Sequence, residues 1–185
     1  MTFVGVIAEI NEMSLVISLP NHLQGLVSIV QCSKFISQKV EILAAHESEE
    51  NVEDMPELSS LYQVGAPCIC KIISLGIDES KSKSNRIDLT MIPQLINANL
   101  LQNDLQLGAC YAMEVLERLE HGWVIDTGVK DITAFCSNED GEGRLLHVGT
   151  TAIFQIKKRN LDGRSVSVCS PSGMLINNNS QNDDI

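Results

Sequence analysis

The sequence predicts an all-β protein made of two tandem five-stranded barrels, the first of which carries a helical insertion. The segments SLVISLPNHLQGLVS (Ser14 to Ser28) and GWVIDTGVKDITAFCS (Gly122 to Ser137) each contain two β-rich runs joined by a turn, and they begin 108 residues apart. A later pair of Val-Gly strand starts, at Val64 and Val148, is separated by only 84 residues, so the first copy contains 24 additional residues. The chain is therefore a tandem repeat with one long insertion.

Each copy contains five runs with the composition and alternation of β-strands. In the first copy the predicted strands are Phe3 to Asn11, Ser14 to Leu19, Leu23 to Val30, Pro67 to Leu75 and Arg86 to Met91. In the second copy they are Cys110 to Leu119, Gly122 to Thr127, Ile132 to Cys136, Thr150 to Lys158 and Ser165 to Ser170. A five-stranded meander with one buried face and no long free edge is best satisfied by a small closed barrel.

The remaining segments divide the chain into domains. In the insertion, about 34–62, Ile36, Val40 and Leu43 recur at helical spacing and are expected to pack on the first barrel. An acidic stretch follows, with five acids among the nine residues from His46 to Asp54. We expect a first domain at 1–93, a linker at 94–103, a second domain at 104–171 and a disordered tail at 172–185.

Composition excludes several functional classes. With 24 acidic and 13 basic residues the net charge is −11, which argues against general polyanion binding, and seven aromatic residues leave few rings for base stacking. No apolar run reaches the roughly 18 residues that a membrane span needs, and Glu9 and Glu12 interrupt any secretory signal, so we expect an intracellular protein without membrane contact. The six dispersed cysteines are interpreted as reduced core residues.

No motif suggests catalysis or a bound cofactor. There is no Gly-rich phosphate loop, no nucleophile elbow and no pair of carboxylates beside a base. Cys68 and Cys70 lie two apart on one predicted strand, but no second Cys or His pair has the spacing of a zinc site. The sequence therefore predicts no enzyme activity, no metal, no cofactor and no small-molecule substrate.

In each copy the unit formed by the second and third strands ends in a similar string, Gly-Leu-Val-Ser in the first copy and Ala-Phe-Cys-Ser in the second, and a Val-Gly pair precedes the fourth strand. This pattern resembles the S1 RNA-binding domain, a member of the OB-fold class, as far as about Ser170. The string INEMSLVISLPNHLQGLVSI and the run His121-Gly122-Trp123 are similar to the N-terminal tandem S1 repeats of a family of large eukaryotic ribosomal RNA-processing factors. The first strand begins almost at Met1, which favours a trimmed N-terminal portion.

The resemblance implies a function and a location. Such factors contain many S1 repeats followed by helical repeats and act in the nucleolus on pre-ribosomal RNA. We therefore expect a non-catalytic fragment of a ribosome-biogenesis factor, with pre-ribosomal RNA and other ribosome-assembly proteins as its partners.

Site residues also follow from the resemblance. RNA-binding S1 domains commonly place two aromatic residues on strand two and a histidine at the end of strand three. The corresponding residues of this chain are Met13, Val16 and Ser28 in the first copy, and His121, Val124 and Ser137 in the second. The stacking trio is largely missing. The first copy is therefore predicted to present Met13, Val16 and Ser28 as a protein-docking face.

The second copy retains more features of an RNA site. His121 can stack on a base, and Lys157, Lys158, Arg159 and Arg164 form a basic cluster around the last hairpin that could contact phosphates. The alternative is that the cluster is a solvated rim and Trp123 a core residue; Lys81, Lys83 and Arg86 are similarly interpreted as a solvated hairpin. Two functions remain open: a weak RNA-contacting module, or a protein-docking module with degenerate S1 barrels that no longer bind RNA.

Overall fold

The computed structural model describes residues 1–45, 56–78, 84–141, 146–160 and 164–169. The strands of the first copy are β1 (Thr2–Asn11), β2 (Ser14–Ser18), β3 (Gln24–Ser28), β4 (Pro67–Asp78) and β5 (Ser84–Thr90). Those of the second copy are β6 (Cys110–Leu119), β7 (Gly122–Asp126), β8 (Thr133–Ser137), β9 (Thr151–Arg159) and β10 (Ser165–Cys169). The helices are α1 (Lys34–Ala45), α2 (Leu58–Leu61) and α3 (Pro93–Ile96), and short 3-10 turns span Pro20–His22, Ile29–Gln31 and Gln102–Asp104.

Each copy forms a closed five-stranded barrel, which confirms the predicted fold class. The strand order is β1-β2-β3-β5-β4 in the first barrel, and β10-β8-β7-β6-β9 in the second. The expectation of a simple meander was wrong. After β3 the chain crosses the barrel and returns as β4 beside β1, so β5 closes the barrel by pairing in parallel with β3. The parallel pairing of β8 with β10 repeats this arrangement.

Strand alternation places one apolar core inside each barrel. Leu15, Ile17 and Val27 are fully buried in the first, as are Ile125 and Phe154 in the second. In both copies the pairing of the first two strands shifts by one residue at the same place, between Ile7 and Glu9 and between Val115 and Glu117. Equivalent positions in the two barrels can therefore be compared residue by residue.

Trp123 belongs to the core of the second barrel, which was one of the alternatives considered from the sequence. Its side chain is 8% exposed and lies in the core cluster. The guanidinium carbon of Arg118 lies 3.8 Å from the centre of the ring, so this cation covers the aromatic face. The ring is thereby unavailable for stacking on a base.

The insertion contributes α1 and α2 to the first barrel. Ile36 is fully buried in the barrel core, and Val40 packs against that core. Leu43 is half-buried and lies outside this cluster. The acidic stretch from His46 to Asp54, the tail at 172–185, Lys81, Lys83 and the side chain of Arg86 lie outside the described part of the chain.

The first turn of α1 is capped by residues from both barrels. Ser33 accepts a hydrogen bond from the main-chain N–H of Ile36 at 3.2 Å. The main-chain N–H groups of Lys34 and Phe35 donate to the carboxylate of Glu114, on β6 of the second barrel, at 3.2 and 2.9 Å. Glu114 is 1% exposed, and burial raises the pKa of its carboxyl group. A carboxylate at a helix N-terminus is favourable, so Glu114 joins the second barrel to the insertion of the first.

A second group of buried hydrogen bonds lies beside this cap. The main-chain carbonyl of Cys32 accepts from the hydroxyl of Tyr62 at 3.4 Å and from the hydroxyl of Thr151 at 3.0 Å. The main-chain N–H of Thr151 donates to the Tyr62 hydroxyl oxygen at 3.3 Å. Asn97, just after α3, donates to the carbonyls of Ala112 and Thr127. The hydrogen bonds of Thr151 to Cys32 and Tyr62 therefore join the second barrel to the first.

Candidate functional site

A row of side chains crosses the outer face of the second barrel. Val124 on β7 pairs with Phe135 on β8, Phe135 pairs with Ser167 on β10, and Ser167 pairs with Lys158 on β9. We call these four residues the second-barrel row. Val124, Phe135 and Ser167 are half-buried, because the residues on either side of each one point into the core, and Lys158 is exposed, as are its neighbours Lys157 and Arg159. The row places an aromatic ring and a lysine on one accessible surface.

The sequence prediction did not include Phe135. Its ring tip lies close to β7 at Gly122, where the β-carbon of any other residue would come within 2.7 Å of Phe135 Cζ. Glycine at this position therefore lets the ring lie across the neighbouring strand. The signal was available, because Phe135 lies two residues before Ser137 on the same strand, and residues two apart share a face.

His121 lies at the edge of this surface, next to Gly122 at the start of β7. Its side chain is 84% exposed, and its Nε2 atom lies 3.9 Å from the carboxylate of Glu120. The main-chain N–H of Asn138 donates to the His121 carbonyl, which fixes the backbone of this turn against the end of β8. The ring is therefore accessible on a held backbone.

Ser137 occupies the position where the S1 resemblance places a histidine, and it belongs to a small polar network. Its hydroxyl lies 2.7 Å from Asp140 Oδ2, and Lys157 Nζ lies 2.6 Å from Asp140 Oδ1. The Lys157 ammonium lowers the pKa of the Asp140 carboxyl, and the carboxylate in turn raises the pKa of Lys157. The charge of Lys157 is therefore balanced by a neighbouring acid, which weakens its attraction for phosphate.

The two arginines of the predicted basic cluster lie elsewhere. The guanidinium of Arg159 donates to the main-chain carbonyls of Leu105, with Nε at 2.8 Å, and of Asn103, with Nη2 at 3.1 Å. Arg164 lines a surface groove together with Gln94 of α3 and Thr133 of β8. The structure therefore brings Lys158, Lys157 and His121 to the surface around the second-barrel row and separates both arginines from it.

The first barrel has a row at the equivalent positions. Val16 pairs with Leu26, Leu26 with Asp88, and Asp88 with Ser74, whose hydroxyl lies 2.7 Å from Asp88 Oδ2. We call these residues the first-barrel row; relative to the second barrel, leucine replaces the phenylalanine and aspartate replaces a serine. Of the predicted docking residues, Met13 is 57% exposed, and Val16 and Ser28 are half-buried. This face is apolar and acidic.

The cysteines are free thiols. Cys32, Cys68 and Cys70 are buried in the first barrel; burial raises the pKa of Cys32 to about 12, and the neighbouring Cys70 thiol together with burial raises the pKa of Cys68. Within the described ranges, no group of three or more His, Cys, Asp or Glu side chains is arranged to hold a metal ion. In the same residues, no helix is both long and apolar enough to cross a membrane.

Comparison with known proteins identifies relatives of this chain. No family model matches it. It is 31% identical over 156 residues to the Protein RRP5 homolog of Mus musculus and 32% identical over 135 residues to that of Homo sapiens, alignments that cover 84% and 73% of this chain. It is 31% identical over 175 residues to the rRNA biogenesis protein rrp5 of Schizosaccharomyces pombe, which covers 80% of this chain.

The chain spans only 8%, 7% and 10% of the lengths of these three relatives. Among solved structures, a Streptococcus pneumoniae multidomain protein with nucleic acid binding domains aligns over 92% of this chain and 51% of its own, at 11% identity and a TM-score of 0.43. The sequence matches extend over both of the closed five-stranded barrels. As a two-barrel S1-domain segment, this chain therefore belongs to the RRP5 family.

Proposed function

We propose that the chain is a non-catalytic segment of an rRNA biogenesis factor and that its second barrel makes weak contact with single-stranded pre-ribosomal RNA. The observation that carries this proposal is the second-barrel row, in which Phe135 and Lys158 lie on one accessible face on either side of Ser167. A ring stacks on a base without regard to its identity, and a lysine beside it neutralises a phosphate. Membership of the RRP5 family favours RNA as the ligand and the nucleolus as the location.

The same residues indicate that the contact is weak. Lys157 is balanced by Asp140, and Arg159 is held by main-chain carbonyls, so few cations remain for phosphates. With a net charge of −11 the chain repels a polyanion at long range. We expect a dissociation constant of about 10⁻⁴ to 10⁻⁶ M that rises steeply with salt. Weak sites of this kind become effective when several are linked in one longer chain.

The test is a titration of single-stranded pre-ribosomal RNA against the intact chain and the variants Phe135→Ala and Lys158→Glu. Loss of one stacking ring is expected to weaken binding by about 1–3 kcal/mol. Lys158→Glu is expected to weaken binding and to reduce the slope of log affinity against log salt by about one. Lys158 is a better choice than its neighbours, because changing Lys157 or Arg159 also removes a contact within the protein.

Lys39→Glu in α1 of the first barrel is the control for net charge, since it makes the same change in charge away from the second-barrel row; it also removes the contact of the Lys39 ammonium with the Phe35 ring, 5.2 Å away, so its folding is checked by circular dichroism. Equal loss of affinity in Lys39→Glu and Lys158→Glu would mean that only net charge matters. Unchanged binding by both Phe135→Ala and Lys158→Glu would assign RNA contact to another surface.

For the first barrel we propose a second function. This barrel does not bind RNA and presents a face on which another protein docks. In the first-barrel row, Leu26 takes the place of Phe135 and Asp88 takes the place of the neutral Ser167. Met13 is exposed beside this row. An apolar surface with an acidic residue suits a ribosome-assembly protein better than a polyanion.

Met13→Asp is expected to leave RNA binding unchanged and to abolish retention of the chain on purified pre-ribosomal particles whose RNA has been digested. Retention that survives Met13→Asp would exclude this face.

A further inference from the structure

Arg118 and Trp123 form a stacked pair at the end of the second barrel where β6 turns into β7. The two residues pair across these strands, and the guanidinium carbon lies over the indole ring, 3.8 Å from its centre and within van der Waals contact. The main chain at Gly141 covers another part of the ring, since the β-carbon of any other residue there would lie 2.6 Å from Trp123 Cζ3. The ring is therefore fixed between the main chain and the cation.

The guanidinium of Arg118 is held in place and is accessible. Its Nη1 atom donates to Asn138 Oδ1 at 2.8 Å, and Asn138 Nδ2 donates to the carbonyl of Glu120 at 3.0 Å. Arg118 nevertheless belongs to the exposed end of β6. Unpaired RNA bases stack on guanidinium planes as well as on aromatic rings. A guanidinium that is fixed by a ring and an amide, and is exposed to solvent, is therefore a stacking position for a base.

Closing the end of a barrel does not require this pair. Ile10 and Leu15 occupy the same positions in the first barrel, because both pairs come second after the shared shift in strand register. Leu15 is fully buried and Ile10 packs against the core, so two aliphatic side chains are sufficient there. In the second barrel the buried Nε1 atom of Trp123 has no hydrogen-bond partner among the residues that the structure describes, which lowers stability. Stability therefore does not explain the pair.

The pair lies beside the surface proposed above for RNA. Asn138 follows Ser137 directly at the end of β8, the strand that contains Phe135, and its main-chain N–H donates to the carbonyl of His121. The same Asn138 accepts the hydrogen bond from Arg118. A single strand that stacks on Phe135 and continues towards the end of β8 therefore passes the His121 turn and arrives at Arg118.

The charges around Arg118 indicate which part of a ligand it contacts. Glu117, Glu120 and Glu139 are exposed, and each is next in sequence to Arg118, His121 or Asn138. These carboxylates repel phosphates and acidic peptides, whereas an uncharged base is not repelled. The accessible guanidinium therefore favours contact with the face of a base.

We propose that Arg118, held on Trp123, stacks on an unpaired base of the single-stranded RNA that crosses the second-barrel row. This inference rests on the proposed function, to which it adds a second stacking position. Stacking does not depend on which base is present, so the contact tolerates any sequence. Trp123 thus contributes to RNA binding through the cation that covers it, although its own ring is unavailable.

The test uses a single-stranded RNA hexamer of adenylate, titrated into the intact chain. Anisotropy of a labelled hexamer measures affinity, and the emission of Trp123, the single tryptophan, reports on stacking beside its ring. A hexamer with abasic ribose at every position is the matched ligand, and only the adenylate hexamer is expected to change the emission. Arg118→Lys keeps the charge but removes the planar guanidinium. It is expected to weaken binding about tenfold and to abolish the emission change.

Arg164→Lys is the matched control, because it makes the same exchange at the opposite end of β8, where the Arg164 carbonyl accepts from the N–H of Thr133. It is expected to bind the hexamer as the unmodified chain does. Asn138→Ala leaves the stacked pair in place and removes the amide that holds the guanidinium, so it is expected to weaken binding by a smaller factor. It replaces Arg118→Lys as the decisive variant if circular dichroism shows that Arg118→Lys does not fold.

Unmodified affinity and emission change in the decisive variant would overturn the inference, as would an equal emission change with the abasic hexamer. Phe135→Ala separates this inference from the proposal on which it rests. If Phe135→Ala weakens binding and Arg118→Lys does not, only the stacking position at Arg118 is excluded. If neither variant weakens binding, the RNA contact of the second barrel is excluded as well.

Discussion

Replacing Glu114 with alanine is expected to loosen the junction between the two barrels. The change removes two hydrogen bonds from the N–H groups of Lys34 and Phe35 to a charged acceptor, each worth about 1.5–3 kcal/mol. Part of this is offset, because the folded chain no longer buries a carboxylate whose desolvation costs several kcal/mol. We expect a net loss of about 2 kcal/mol in the free energy of unfolding.

Urea denaturation at neutral pH, followed by circular dichroism and by the fluorescence of the single tryptophan, measures this loss. Trp123 reports on the second barrel alone, so separate transitions for the two signals would reveal uncoupled barrels. Glu117→Ala is the control, because Glu117 lies on the same strand and is exposed. If Glu114→Ala is as stable as Glu117→Ala, the reasoning about the helix cap is refuted.

The pH dependence of the same site provides an independent check with Glu114→Gln. Burial raises the pKa of Glu114 in the folded chain above its ordinary value of 4.5. The folded state then holds the proton more tightly than the unfolded state, so this contribution to stability is present below pH 4.5 and is lost as the pH rises through the folded pKa. The free energy of unfolding of the unmodified chain, relative to Glu114→Gln, is therefore expected to decrease from pH 4.5 towards neutrality. A difference that increases over this range would contradict the assignment.

Two further predictions concern a thiol and a glycine. In native alkylation at about pH 8 followed by mass spectrometry, the exposed Cys110 is expected to react first and the buried Cys32 to remain protected, since burial raises its pKa to about 12; early labelling of Cys32 would indicate an open interface. Gly149→Ala is expected to lower the free energy of unfolding, measured by urea denaturation, by about 2–4 kcal/mol, because φ is +85° and the new β-carbon would lie 2.4 Å from the ring of Phe35. Gly108→Ala is the control: φ is +78° but the space around it is open, so the expected loss is only about 1–2 kcal/mol. Equal losses in the two variants would show that the Phe35 ring moves aside to accept the new β-carbon.

The sequence predicted the strands well because their signal is local. Alternation in one strand and the turn after it require only a few neighbouring residues, and the second-copy strand Cys110–Leu119 has the predicted bounds. The strand order was not predicted in the same way, since the pairing of β3 with β5 joins residues such as Leu26 and Asp88 across the whole insertion. Long-range pairing depends on how the barrel closes, which a local pattern does not contain.

The candidate site could be predicted only in part for the same reason. The basic cluster was grouped by sequence proximity, yet a shift in pairing next to Lys157 turns Lys158 outward and Arg159 towards the Leu105 segment. Glu114 did leave a signal that was not used. A lone acid inside the apolar run Ala-Met-Glu-Val is buried only when it has a partner, but nothing in the pattern names the N-terminus of α1, about 80 residues earlier, as that partner.

The helix cap that crosses between the barrels changes what counts as one module of this protein. By sequence the module is a single repeat, and a cut in the linker would separate two apparently equal copies. By contacts it is the pair, because such a cut would leave Glu114 without its helix and the Cys32 carbonyl without the hydroxyl of Thr151. The two rows are consequently presented at a fixed separation. When a ligand or particle binds one row, the other row is already held nearby. No flexible linker has to become ordered for the second contact, because that conformational entropy was lost when the chain folded.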